Sequence, residues 1–423
     1  MSAWSATLLI GFTLARGGTA LGQNLTARLH GEGAVAVSHV DPTPGPGSLT
    51  ETRVEQVNVI LDAGAFANRV RFRGTLNLEG LTLKNGVLTL GGWGEGFNDR
   101  RHPHTYGHEL ILSVVQPLGK APTVLEPGAR PSLSEVVLSL SVGKGFAPFG
   151  SDDPMSRPLL RFPVNHHWGQ VLERAVAIGG LRVGPAALEA GLFNGDEPER
   201  PGQWPLLRDS TGTWRFGDSW SARLTVWPLA GVEIQSSHAS VKSPENRPGA
   251  GTTQKKWSGS LRVERRAGPG RFYALGEWAR TTEAGGFFRF RSWLFEGSWS
   301  MAGQRPYYRF ESTDRPEEER TLNPFRSLRP HLENSILGRT RWNIHTLGYS
   351  VSVAVTRWAQ MEPLAEVAHA TVSMLDGLFN PQDLYGRSTF WSVTAGLRLR
   401  LPGGEHRMGR YGVLDSRPAD HQH

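Results

Sequence analysis

The sequence predicts an all-β chain, a transmembrane antiparallel up-and-down β-barrel of about 16 strands within a range of about 14 to 18. Three observations carry this prediction. Short runs along all 423 residues alternate between apolar and polar side chains. No run approaches the roughly 18 apolar residues that a membrane helix needs. The chain also combines 51 Gly, 28 Pro and 14 Trp with no Cys, as suits many strands joined by turns, with aromatics to spare for membrane interfaces. Alternation marks a strand with one apolar and one polar face. A soluble sandwich also has two-faced strands, but its apolar faces share one core and Trp is not spread over a dozen strands. Lipid outside and water inside accounts for both faces.

The clearest run lies near the C-terminus, where Trp391, Val393, Ala395, Leu397, Leu399 and Leu401 alternate with Ser392, Thr394, Gly396, Arg398 and Arg400. In the same way Val70, Phe72, Leu76 and Leu78 oppose Arg71, Arg73, Thr75, Asn77 and Glu79. Trp220, Leu224 and Val226 oppose Ser221, Arg223 and Thr225, and Trp257, Leu261 and Val263 oppose Ser258, Arg262 and Glu264. Tyr349, Val351, Val353 and Val355 oppose Ser350, Ser352 and Thr356.

In chain order, residues 1–22 read as a secretory signal. The apolar stretch 6–15 has the length of an h-region, and Ala20-Leu21-Gly22 precedes Gln23 with small residues at the cleavage positions, although no Lys or Arg precedes the stretch and Arg16 follows it. The remainder, 23–423, reads as one barrel. Strand-like runs fall near 25–40, 53–61, 67–79, 86–92, 105–116, 134–146, 170–183, 186–194, 217–228, 230–242, 255–266, 270–282, 286–299, 304–312, 336–346, 348–359, 366–376 and 388–401. Bacterial barrels have even strand numbers, and a mature chain of roughly 400 residues gives each of 16 strands about 25 residues, enough for a span, a short turn and a long loop. Tight turns are expected at Val183-Gly184-Pro185, Pro228-Leu229-Ala230-Gly231 and Ala267-Gly268-Pro269-Gly270. Segments 42–52, 117–132, 146–169, 195–216, 243–254 and 313–335, rich in Pro, Gly and charge, are expected as long loops on the opposite rim. A polar tail follows from about 402.

The most distinctive local sequence is Gly143-Lys144-Gly145-Phe146-Ala147-Pro148-Phe149-Gly150, followed later by Gly191-Leu192-Phe193-Asn194-Gly195. Here the chain resembles the porin families related to the phosphate-selective porins O and P, over residues 133–200 in motif and elsewhere in rhythm. The resemblance implies an outer-membrane barrel of about 16 strands that passes anions or other small solutes. The chain departs from such barrels at its end, where Tyr411-Gly412-Val413-Leu414 is followed by a polar segment instead of a terminal aromatic.

Charge supports the same reading. The net charge of +7 is mild for the length, and the Arg residues are dispersed along strands instead of forming a patch, which excludes a nucleic-acid partner. Arg71, Arg73, Arg223, Arg262, Arg398 and Arg400 fall on inward faces, against inward Glu79 and Glu264. A lumen lined by Arg concentrates anions; alternatively these side chains pair with neighbouring acids. Asp152, Asp153, Arg157, Arg161, His166 and His167 lie in the 146–169 loop and compose a constriction of opposed charges if that loop folds inward, or an exposed rim loop if it does not.

Two further constellations invite other chemistry. On a strand His102 and His104 share a face about 7 Å apart and could grip one Zn²⁺, with a third ligand from His166 or His167, since His108 lies too far along; strand-end hydrogen bonding is the alternative, and no metal or other cofactor is expected. His238 and Ser240 share a strand face, with Asn246 beyond, an arrangement similar to the His-x-Ser of outer-membrane phospholipases. The expectation is therefore not an enzyme but an outer-membrane channel for passive diffusion of small anionic or polar solutes, phosphate among them. Its partners are outer-membrane lipid and the solute, and a homotrimer is one assembly it allows. The alternatives are a hydrolase built on Ser240 and His238 and a structural barrel plugged by its own loops.

Overall fold

The computed structural model describes residues 25–41, 48–81, 87–88, 97–98, 105–171, 173–198, 201–205, 207–208, 211–242, 251–318, 336–356, 359–377, 380, 382–383, 386–401 and 407–416. The leader expected over 1–22, and His102 and His104, lie outside them. The alternating runs become the strands β1 (Thr26–Asp41), β2 (Leu49–Ala65), β3 (Val70–Asn77), β4 (Gly107–Leu118), β5 (Val136–Gly145), β6 (Arg174–Val183), β7 (Ala186–Phe193) and β8 (Ser219–Leu229). They continue as β9 (Val232–Lys242), β10 (Thr253–Ala267), β11 (Gly270–Glu283), β12 (Phe288–Ser300), β13 (Gln304–Glu318), β14 (Ile336–Val351, prolonged by Val353–Thr356), β15 (Ala359–Gly377) and β16 (Thr389–Arg400). Each is antiparallel to its neighbour, and β16 closes on β1 from Glu32↔Arg400 to Asp41↔Trp391, making a closed barrel of 16 strands.

The two surplus runs have physical explanations. The run at 86–92 yields only Val87–Leu88, paired with Phe97–Asn98 outside the barrel. The runs at 336–346 and 348–359 are one strand, because the Ser352 N–H turns to Gly303 O at 2.6 Å while the alternation continues in phase, leaving Val353 and Val355 exposed beyond Tyr349.

Strand parity assigns the loops. The connections at 66–69, 184–185, 230–231, 268–269 and 301–303 share one rim with the start of β1 and the end of β16, and those after β1, β3, β5, β7, β9, β11, β13 and β15 share the other. One expectation is corrected: the segment expected at 117–132, observed as 119–135, follows β4 and lies on the short-turn rim. There Leu125 and Ser416 form a parallel bridge. Composition marks a loop, but only the strand count fixes its side.

Outward positions are aliphatic at mid-height, with exposed Trp220, Trp257, Trp293 and Trp391 toward the long-loop rim and Phe272, Trp299, Tyr308 and Tyr349 toward the short-turn rim. Two aromatic girdles about an apolar band are the boundary of a bilayer. No described helix is long and apolar enough to cross a membrane, and closure pairs the strand backbones all around the wall, as lipid requires. These features put the barrel in the bacterial outer membrane. The core lies inside the barrel: Ile60, Ile111, Val176, Ile178 and Phe193 of the wall cluster with Phe146, Phe149, Phe162, Met408 and Tyr411, which come from segments that enter the lumen.

Facing is tested by charge. Leu261 is outward and exposed at the middle of β10, while Ser260 points inward opposite Glu277. Leu261→Arg should destabilise the barrel by ~2–4 kcal/mol in lipid vesicles and Ser260→Arg by little; equal costs in urea titrations would refute the assignment of faces.

Candidate functional site

The loop after β5 enters the lumen because its glycines allow it. Gly150 has φ +74°, and a Cβ there would lie 1.7 Å from Gly169 O. The Pro148 ring packs against the wall at Gly191, where a Cβ would approach Pro148 Cδ to 2.6 Å. The two distinctive motifs are therefore two sides of one contact. The turn is pinned by Ala147 N–H to Val171 O at 2.9 Å and by Gly150 N–H to Ser237 Oγ at 2.9 Å. Asn194 closes the next loop, accepting from Gly217 N–H at 3.0 Å and donating to Arg215 O at 2.9 Å.

Beyond Gly150 the loop crosses to a wall of glutamates. Leu160 N–H donates to Glu366 at 2.8 Å, Val164 N–H to Glu311 at 2.7 Å and Asn165 Nδ2 to Glu277 at 2.7 Å. Arg157 donates to Asp152 O at 2.7 Å and Glu277 at 3.3 Å, and Arg161 to Glu311 and to Thr346 Oγ1 at 3.1 Å. Asp153 Oδ1 caps the short turn Pro154–Ser156 by accepting from Met155 N–H. A bulge in β2 aims Gln56, at φ +53°, inward so that its amide donates to Leu160 O at 3.0 Å. The indole of Trp168 stacks on Phe290 at 4.8 Å, and the His167 carbonyl accepts from Lys256 at 2.6 Å.

The C-terminal tail, 407–416, occupies the opposite side. Backbone carbonyls of Gly409, Arg410 and Gly412 accept from Arg223 (3.1 Å), Arg73 (2.8 Å) and Arg71 (3.3 Å). Asp415 takes Arg71 at 2.9 Å and Arg73 at 3.0 Å. The Tyr411 hydroxyl donates to Glu109 at 2.7 Å and accepts from Phe146 N–H at 3.1 Å. Loop and tail meet at the buried Asp152, which binds Arg262 of β10 together with Arg407 and Arg410 of the tail; Glu233 of β9 holds the same two tail residues at 2.7 and 3.3 Å. Burial pushes the Asp152 carboxyl up, but Arg407, Arg262 and Arg410 outweigh it and hold it well below the usual carboxylate range.

Each Arg assigned inward from the sequence faces the interior. Arg71 and Arg73 pair with Asp415, and Arg73 also with Asp62; Arg223 pairs with Glu189 at 2.7 Å. Arg262 binds Asp152 and Glu264, and Arg398 and Arg400 both bind Glu362, at 3.4 and 3.0 Å. Asp152, Asp153, Arg157, Arg161 and His166 are buried with the inward loop, whereas His167 is half-buried. Sequence reasoning missed the inward acids Glu189, Glu277, Glu296, Glu311, Glu362 and Glu366, and the entry of the tail into the lumen. Among the described residues no group of three or more His, Cys, Asp or Glu could hold a metal ion. His166 stacks on Phe162 at 5.3 Å, and His108 bonds Glu173 at 2.5 Å. His238 lies on the lipid face between Trp220 and Trp257, at 5.2 and 3.9 Å, as part of the aromatic girdle. Asn246 lies outside the described residues.

No protein-family model and no curated protein matches the chain. Among solved structures it is similar to the anion-selective porin from Comamonas acidovorans, with a TM-score of 0.51 and 12% identity over 89% of this chain and 99% of that one. It is also similar to OprB of Pseudomonas putida, with a TM-score of 0.50 and 10% identity over 89% of this chain and 94% of that one. At these identities the likeness is one of fold.

The depressed Asp152 carboxyl has a testable sign. Its stabilisation is complete above the unfolded value near 3.9 and is lost only as pH falls through the lower folded value. Tryptic resistance at Arg161 and Arg407 should thus be constant from pH 7 to about 4, as probed after brief acid exposure. Asp152→Asn should weaken the clasp by about 3–5 kcal/mol at pH 7, because three guanidinium groups lose their shared carboxylate. Resistance that already fades at pH 5 in the parent chain would contradict this reading.

Proposed function

We propose that the chain is a porin-type channel for the passive diffusion of small anionic or polar solutes, phosphate among them, across the outer membrane. One observation carries the reading. In two lumen ion pairs Arg is the member that reaches water: Arg400 is 24% exposed against 2% for Glu362, and Arg407 is 20% against 0% for Asp152. These two acids lie deeper than their partners, so the solute path meets the Arg400 and Arg407 guanidinium groups first, which attract anions. The resemblance of 133–200 to the phosphate-selective porins and the anion selectivity of the Comamonas neighbour agree with it.

The exterior supports a homotrimer. Exposed Trp and Tyr of the described strands belong to β8–β16, while β1–β7 present aliphatic side chains such as Leu29, Leu61, Leu112, Leu140 and Leu188. A sector without interfacial aromatics suits a subunit contact better than a lipid boundary. A second reading, a barrel plugged by its own segments, is favoured by the tail in the lumen and requires that the refolded chain conduct nothing.

Zero-current potentials in a KCl gradient should report anion preference, larger at 0.1 M than at 1 M as the Debye length shrinks from about 10 to 3 Å. Arg400→Gln with Arg407→Gln should reduce that preference without abolishing conductance. Preference for K⁺ in dilute salt, or indifference to the double change, would reject the basic path.

A further inference from the structure

The outer surface of the barrel carries a charge feature that conduction does not use. At the long-loop ends of β10–β14, directly above the girdle indoles Trp257, Trp278 and Trp293, the outward positions hold Lys255, Arg280, Arg289, Arg291, Arg339 and Arg341. Glu283, Glu317 and Glu318 end β11 and β13 just above them, and at the height of the cluster stand Asp314 and Asp376. Both are engaged: Asp314 takes Arg341 at 2.8 and 2.6 Å and lies 3.7 Å from Arg291, and Asp376 binds Arg339. Arg280 stands directly opposite Arg291 in the β11–β12 register, one step above the facing pair Trp278 and Trp293.

Like charges directly opposed across two strands are destabilising, because their Cβ atoms lie about 5 Å apart. Arg291 is also 62% exposed, so its charge is offered outward instead of being sunk into the wall. At the corresponding ends of β1 and β2 the facing pair is instead His39 and Thr50, joined at 2.8 Å. The indoles fix the height, since a girdle marks the boundary between hydrocarbon and head groups. A group at that height carrying two or more anionic oxygens would turn the opposed guanidinium groups from a repulsive pair into a fork of charge-assisted hydrogen bonds.

We propose that this cluster, centred on Arg280 and Arg291, binds the phosphate of a phosphorylated glycolipid in the outer leaflet. The proposal rests on an orientation of the barrel in the outer membrane with the long loops outside the cell and is independent of what the lumen conducts. Its chemistry is that of a fixed lipid site: guanidinium groups for the phosphate, with Trp278 and Trp293 beneath them for the upper acyl region.

The test uses the full-length chain refolded in detergent and exchanged into nanodiscs containing a phosphorylated glucosamine-based glycolipid, the same lipid after enzymatic removal of phosphate, or neither. Lipid retained through delipidating washes is counted by native mass spectrometry, and Trp fluorescence is read in parallel. The parent chain should retain the phosphorylated lipid at least about tenfold better than its dephosphorylated form, and Arg280→Gln with Arg291→Gln should remove that preference, as expected for lost hydrogen bonds between charged groups. Arg280→Gln alone serves should the double variant fail the heat-shift test of folding, and should lower retention in the same sense. Equal retention of both lipids, or a folded variant with undiminished retention, overturns the proposal. Displacement of the lipid by equimolar inorganic phosphate also overturns it, because the site would then be one for free anion.

Discussion

The interior of this barrel depends on carboxylate and guanidinium groups that neutralise one another away from water. An isolated charge in such a place would be costly, and removing one partner of a buried pair leaves the other uncompensated. The wall therefore cannot stand apart from the segments it encloses. Glu277, Glu311 and Glu366 on one side need the amides and guanidinium groups of the inward loop, and Arg71, Arg73 and Arg223 on the other donate to the carbonyls and carboxylate of the tail. Asp152 joins the two sides by binding one wall arginine and two from the tail. Such networks fix geometry more reliably than they add stability, and a constriction needs fixed geometry.

The division of labour between faces follows from the strand period. Side chains two apart share a face, so one sequence serves lipid and lumen without either interfering with the other. Glycine is used where the inward loop must touch the wall: Gly191 admits Pro148, and Gly150 carries the backbone past Gly169. The exposure of Arg400 and Arg407 beside the deeper Glu362 and Asp152 then gives the lumen its proposed character, because these guanidinium groups meet the path first.

Much of this was legible in the sequence. Strict alternation on β10 and β16 gave the facing of Arg262, Arg398 and Arg400, and the Pro148-Phe149-Gly150 turn marked where the chain leaves the wall. The inward acids were hidden because β11 and β12 do not alternate cleanly in polarity. Tyr273, Leu275 and Leu294 face the interior as an apolar cluster, while Gly276 and Gly297 face lipid, so the periodic signal that would have exposed Glu277 and Glu296 is erased. The tail was hidden for a different reason. Its polar composition reads as solvent-exposed, and nothing local announces that Arg71 and Arg73, far away in sequence, hold it inside.

The central claim is that loop and tail together narrow the lumen, held there by charge. Single-channel recording of a chain truncated after Leu401, which retains β16 and the closing pairs with β1, tests it most directly. The account predicts a folded barrel with a larger conductance, since the segment that fills the lumen opposite the inward loop is gone. An unchanged conductance in a correctly folded, truncated barrel would contradict it.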